Sequence, residues 1–234
     1  MSELKFTDLV EPVVLNKKTA LRVTVLGGGS FGTAMANIAA RNGCDTMIWI
    51  RDEVIANEIN DTHINQRYLP DYTLESCLKA ESNLEKAVRD RDIILVAIPS
   101  HSFRDVLKQI KPFISAQAVI SLTKGVEAKT FSFMSDIIRA ELPEVPYGVL
   151  SGPNLAKEIM SGMPAGTVIA SDSELVRYAV QQALHSALFR VFGSDDVHGV
   201  ELGGALKNIY AVAMGMAAAY KVGENTKSMI LTRA

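Results

Sequence analysis

Cysteine is almost missing from this sequence: Cys44 and Cys77 are the only two among 234 residues. Neither sits in a C-x-x-C pair or in a Cys/His metal spacing, so a disulfide framework is excluded and two reduced thiols are expected. A surplus of positive charge is missing too. With 24 Lys+Arg against 26 Asp+Glu the formal net charge is −2, which leaves nothing to neutralise a phosphate backbone, and nucleic acid is not an expected partner. The longest apolar run, Ile209 to Tyr220, falls short of the roughly 18 residues that mark a membrane span. Residues 1–20 carry short apolar pieces broken by Glu11 and Pro12, without the continuous core or cleavage pattern of a secretory signal, so a cytoplasmic location is expected. His63, His101, His185 and His198 are scattered without metal-ligand spacing, and no metal is expected. No G-x-S-x-G is present, which removes support for a serine hydrolase.

What is present reads as a folded α/β chain. Hydrophobic residues make up 48% and charged residues 21%, near globular averages. After an arm over residues 1–20, β-branched apolar runs alternate with helical patterns. Strands are predicted at Leu21–Leu26, Thr46–Ile50, Asp92–Ile98, Ala118–Leu122, Tyr147–Leu150, Gly166–Ala170 and Phe189–Phe192. Helices are predicted at Ser30–Arg41, Asp52–Asn60, Phe103–Ile110, Thr130–Ala140 and Glu174–Ser186. Such alternation predicts a parallel sheet covered on both faces. Beyond residue 193 the strand signal ends, and Val200–Tyr220 reads as one long Ala- and Met-rich helix in which Met214 and Met216 are expected to pack in a core.

Gly27-Gly28-Gly29-Ser30-Phe31-Gly32 is a G-x-G-x-x-G that follows a predicted strand and opens a predicted helix. Gly27 permits the tight turn, Gly29 lets backbone approach a pyrophosphate, and Gly32 lets helix and strand pack closely. The expected fold is therefore a Rossmann-like doubly wound sheet over residues 21–192, followed by the start of an incomplete all-helical domain over 193–234. At the end of the second strand, where an acidic residue usually meets the ribose of NAD, this chain has Arg51 and then Asp52. An arginine there can pair with a 2′-phosphate, so the site is expected to take NADP(H), with NAD(H) also open.

Two lysines stand out. Lys207 is the only ionisable charge between Glu201 and Lys221, and Gly203, Gly204, Ala211 and Met214 share its helical face. A partly desolvated ammonium with lowered proton affinity is one expectation; a lysine whose head reaches water at a domain seam is the other. Lys124 follows the strand Ala118–Leu122 in Thr123-Lys124-Gly125, at the sheet edge where α/β folds bind ligands. Ser151-Gly152-Pro153-Asn154 occupies the equivalent place after Tyr147–Leu150.

These segments together resemble the bacterial-type NAD(P)-dependent glycerol-3-phosphate dehydrogenase family. The resemblance rests on the glycine turn through Ala34, Trp49-Ile50-Arg51, Thr123-Lys124-Gly125-Val126-Glu127, Ser151-Gly152-Pro153-Asn154-Leu155-Ala156-Lys157-Glu158, and Gly199 to Asn208. It implies reversible reduction of dihydroxyacetone phosphate to sn-glycerol 3-phosphate for phospholipid synthesis, with a homodimer open. It further implies that Ser30, Phe31, Arg51 and Ala156 touch the cofactor. Gly152 and Asn154 would line the substrate, Lys124 would touch both, and Lys207 would be the proton donor and acceptor. Relatives usually carry Ser or Thr where this chain has Asn154. The family also runs on beyond this chain's last residue, so the chain is expected to be C-terminally incomplete and to turn over poorly by itself. Two alternatives remain at this point. A 6-phosphogluconate or β-hydroxyacid dehydrogenase would place Asn four residues after the lysine, where this chain has Ala211. The other is a non-catalytic dinucleotide-binding fragment.

Overall fold

The structure, a computed structural model, describes residues 20–232, so the N-terminal arm lies outside the described residues except for Ala20. The chain runs β1 (Arg22–Leu26), α1 (Ser30–Arg41), β2 (Asp45–Trp49), α2 (Glu53–Thr62), β3 (Ile64–Asn65), β4 (Leu69–Thr73), β5 (Lys79–Glu81), α3 (Leu84–Val88), β6 (Ile93–Val96) and α4 (Ser100–Ile110). It continues through β7 (Ala118–Ser121), α5 (Met134–Glu141), β8 (Tyr147–Ser151), α6 (Ala156–Met160), β9 (Ala165–Ala170), α7 (Glu174–Leu184), β10 (Phe189–Ser194), α8 (Val197–Ala219) and α9 (Glu224–Thr232).

Eight strands form one sheet in the order β10-β9-β8-β7-β6-β1-β2-β5. The central strands read as unbroken apolar runs because both of their faces are covered. Val23, Val25, Ile93 and Leu95 pack on one side with α1, α2 and α7, while Leu26, Ile94, Val96 and Val119 pack on the other with α3, α4 and α5. Both cysteines are free thiols; burial pushes that of Cys44 up to about 11.

Two parts of the sheet depart from the sequence reading. The sheet is not uniformly parallel: β8 and β9 pair antiparallel, with Val149 opposite Ala170 and Ser151 opposite Val168. The cause is the connection. Helix α6 has five residues and covers about 7.5 Å, too short to carry the chain back along β8, so β9 starts from the edge where β8 ended. Helix α7 spans eleven residues, and β10 returns parallel to β9. The second departure is the short antiparallel hairpin β3–β4, with β5 and α3 after it, none of which the sequence reading found. Likewise α5 begins only at Met134, because residues 126–133 form a turn closed by a bridge between Val126 and Phe133.

The reversal decides where α8 starts. β10 ends level with the start of β8, and Asp196, Val197 and His198 border the same small cavity as Tyr147. Helix α8 then climbs along β8. Eight residues from Asp196 to Gly204 rise about 12 Å, close to the length of β8, and Gly204 arrives beside Ser151. Buried Glu201 pins this climb to α5, accepting from the Ser135 backbone N–H at 3.0 Å and its hydroxyl at 2.5 Å.

The β3–β4 hairpin is tied to the glycine turn by Asn65, which is fully buried. Its Nδ2 donates to the Gly28 carbonyl and to Thr33 Oγ1, both at 2.9 Å, and its Oδ1 accepts from the Tyr68 N–H at 3.3 Å. Asn65→Ala leaves buried polar groups unpaired and is expected to cost about 1–3 kcal/mol, read as a lower urea midpoint. An unchanged midpoint would show that water replaces the amide.

Candidate active site

The glycine turn sits where the sheet order diverges, since β1 lies between β2 and β6. In open α/β sheets that switch point forms a ligand crevice. Gly27 has φ +119°, and a Cβ there would meet the Ala97 carbonyl at 2.4 Å. A Cβ on Gly32 would lie 2.0 Å from the Gly27 carbonyl, so α1 can cross the strand end only with glycine at that position. Above Gly29 there is nothing within 4 Å. The turn thus leaves open backbone at the N-terminus of a twelve-residue helix that has no side-chain cap, a cradle suited to a pyrophosphate. Ser30 donates its hydroxyl to the Tyr68 carbonyl at 3.3 Å, and Phe31 lies under Lys124, 5.8 Å from ammonium to ring centre.

From the turn a cleft of about 790 Å³ opens toward the end of β2. Apolar side chains of Trp49, Ile50, Ile55 and Ile98 line it together with Arg51, Asp52, Arg67 and Tyr68. Arg51 stands where the sequence reading puts it. Arg67 and Tyr68 were missed, because the only sequence signal for them was a short polar stretch containing Pro70.

On the other side of the turn the structure brings Lys124, Gly152, Asn154 and Lys207 together. Lys124 leaves the C-terminal end of β7 and donates to the Gly152 carbonyl at 3.0 Å. Gly204 packs so tightly on this edge that a Cβ would meet Ser151 Oγ at 2.4 Å and reach within 4.0 Å of Lys124 Cγ. One turn further along α8, Lys207 lies near enough for its charge to act on the Lys124 ammonium. Burial, first, and the adjacent Lys207 cation, second, pull the Lys124 ammonium down to about 8. Of the two expectations for Lys207, desolvation is not met and the head reaching water is: Lys207 is exposed and Lys124 is the half-buried one. Of the neighbours of Lys207 on its helical face, Gly204 is buried and Met214 half-buried, while Gly203 and Ala211 are exposed and leave the ammonium open to water. Met216, expected in a core, is 56% exposed.

Asn154 is buried. Its Nδ2 donates to the Gly166 carbonyl at 2.8 Å, while Oδ1 has no hydrogen-bond partner within the protein. This orphaned acceptor lies beside Gly152 and wants a donor. Ala156 opens α6, which packs on α1, and is half-buried. The loop carrying Lys124 is braced from below: Arg104 on α4 grips Glu127 through two bonds at 2.8 Å and Glu141 at 2.6 Å. The Arg104 guanidinium, followed by the Thr130 hydroxyl, holds the Glu127 carboxyl down to about 2. Among the described residues no group of His, Cys, Asp and Glu could hold a metal ion, and no helix is long and apolar enough to cross a membrane.

Comparison with known proteins agrees with this geometry. Residues 22–176 match the family model of the NAD-dependent glycerol-3-phosphate dehydrogenase N-terminus, and residues 196–234 that of the C-terminus. The chain is 87% identical over its whole length to glycerol-3-phosphate dehydrogenase [NAD(P)+] of Acinetobacter baumannii, and 83% identical to that of Acinetobacter baylyi. It spans 66% of the length of these curated relatives. Glycerol-3-phosphate dehydrogenase of Coxiella burnetii, a solved structure, superposes with a TM-score of 0.83 at 34% identity, covering 92% of this chain and 66% of that one. With both family models matching in order along this Rossmann-like sheet and the helix after it, the chain belongs to the NAD-dependent glycerol-3-phosphate dehydrogenase family.

Proposed function

We propose that the protein carrying this chain reversibly reduces dihydroxyacetone phosphate to sn-glycerol 3-phosphate with NAD(P)H, supplying the backbone of glycerophospholipids. The observation that carries the reading is the pair of ammonium groups at the sheet edge, next to a backbone cradle open at Gly29. The assignment covers residues 21–192 as the dinucleotide unit and 193–234 as the opening of a helical substrate unit. A cytoplasmic location and a homodimer belong to the same reading, the latter to be measured by light scattering.

In this reading Gly27, Gly29 and Gly32 shape the pyrophosphate cradle, Ser30 and Phe31 continue it, and Ala156 and Arg51 border the two ends of the cofactor. When bound, the nicotinamide supplies the hydride that reaches the carbonyl carbon. Lys124, Gly152 and Asn154 hold the substrate, with the unpaired Asn154 oxygen accepting from a substrate hydroxyl. Lys207 gives a proton to the carbonyl oxygen as negative charge develops there, and its ammonium stabilises that charge before transfer.

Following NADPH absorbance with dihydroxyacetone phosphate, 6-phosphogluconate and a hydroxyacid panel on full-length protein, turnover is expected with the first alone. Lys207→Ala should lower kcat by about a hundredfold or more while NADPH binding persists. If kcat survives in Lys207→Ala and falls in Lys124→Ala, the proton donor is Lys124.

The Lys124 titration gives a separate test. An anionic phosphate ester binds best to the charged ammonium, so its affinity should be highest below about 8 and fall as pH rises through that value. Lys207→Ala removes the neighbouring like charge and should move the fall to higher pH. A profile unmoved by the substitution would uncouple the two lysines.

A further inference from the structure

Arginines in this protein are mostly spoken for. Arg22, Arg41, Arg89, Arg91, Arg104 and Arg139 each hold a carboxylate. Arg51 and Arg67 do not: among the described residues neither has an acidic partner, and both line the cleft beyond the glycine turn. The one carboxylate beside them, Asp52, is engaged as the cap of α2, its Oδ1 accepting from the Val54 N–H at 3.0 Å. Two guanidiniums without acidic partners lining one cleft call for an anion.

Their supports make the placement definite. Arg51 directly follows β2. Arg67 lies in the β3–β4 connection with its guanidinium over the Tyr68 ring, 5.4 Å from carbon to ring centre. That connection is fastened to the glycine turn twice, through the Asn65 amide on Gly28 and Thr33, and through the Ser30 hydroxyl on the Tyr68 carbonyl. The hairpin therefore carries Arg67 at a fixed setting relative to the pyrophosphate cradle.

We propose that Arg67, acting with Arg51, forms a subsite for a phosphate monoester on the adenosine ribose, and that Arg67 thereby makes the protein favour the 2′-phosphorylated dinucleotide. The proposal rests on the cofactor reading above and extends it to a residue and a preference. A dianionic phosphate takes planar guanidinium forks bidentately, whereas the carboxylate beside them, Asp52, is already drawn into capping α2 and is a weaker partner for bare ribose hydroxyls.

The chain's single tryptophan, Trp49, lines the same cleft, so energy transfer from its indole to bound NADPH or NADH measures binding without turnover. The experiment compares full-length wild type, Arg67→Ala and Arg67→Lys, with adenosine 2′,5′-bisphosphate and 5′-ADP as competitors. Wild type is expected to bind NADPH more tightly than NADH and to prefer the bisphosphate. Loss of a charge-assisted contact in Arg67→Ala should weaken NADPH about tenfold or more and leave NADH nearly unchanged, with Arg67→Lys between. Arg67 is exposed, so the substitution should not disturb folding. Equal weakening of both dinucleotides, or an unaltered NADPH affinity, overturns the assignment. Wild type binding neither dinucleotide overturns the cofactor reading itself and the subsite with it; tight NADPH binding without turnover of dihydroxyacetone phosphate leaves the subsite standing and overturns only the proposed reaction.

Discussion

The approach of α8 to the sheet edge, at Gly204 against Ser151, is the contact on which the site depends. A Cβ at 204 would have to push the Ser151 hydroxyl aside, and a bulkier side chain would crowd the seat that brings Lys207 to Lys124. The approach is prepared far below, where the antiparallel turn of β9 sends the chain out at the opposite edge and gives α8 the length of β8 to climb. Two ammonium groups at such range repel each other. The repulsion is offset by the Gly152 carbonyl, by the face of Phe31 and by a lowered hold on the Lys124 proton.

The two ends of the crevice are built on different principles. At the glycine turn, backbone is exposed and side chains are kept out, so geometry is set by what cannot fit. At the lysine end, side chains reach in from three elements and each is fixed by another contact. Arg104 with Glu127 and Glu141 steadies the loop under Lys124, and Glu201 on Ser135 steadies the helix under Lys207. The first brace is an ion pair and the second a buried carboxylate held by hydrogen bonds, and both are at least partly buried, so loss of one partner is more damaging than exposed contacts would suggest.

Much of this architecture was legible in the sequence for a simple reason. Strands buried on both faces must be apolar throughout, so β1, β6 and β7 announce themselves, and the glycines of the turn have no substitute residue. The β3–β4 hairpin was hidden because strands of two and five residues containing Asn65, Pro70 and Asp71 carry no period. The direction of β9 leaves no trace in composition; it follows from the brevity of α6. For Lys207 the sequence left two settings open, because distance from other charges along a helix is not distance from water. The solvent-shielded lysine is Lys124, whose shielding comes from α8, eighty residues later in the chain, and no local pattern reports it.

Helix α8 is apolar on nearly all sides, yet it rests on the sheet along only one of them. Ile209, Val212, Met216 and Tyr220 face outward at 56–79% exposure, and Met229 and Leu231 of α9 do the same. A band of this kind left bare in water gathers whatever greasy surface it meets, be it detergent, dye or a copy of itself. In this chain, which spans 66% of its relatives' length, the helix that carries Lys207 stays dispersed only when this outer face is covered.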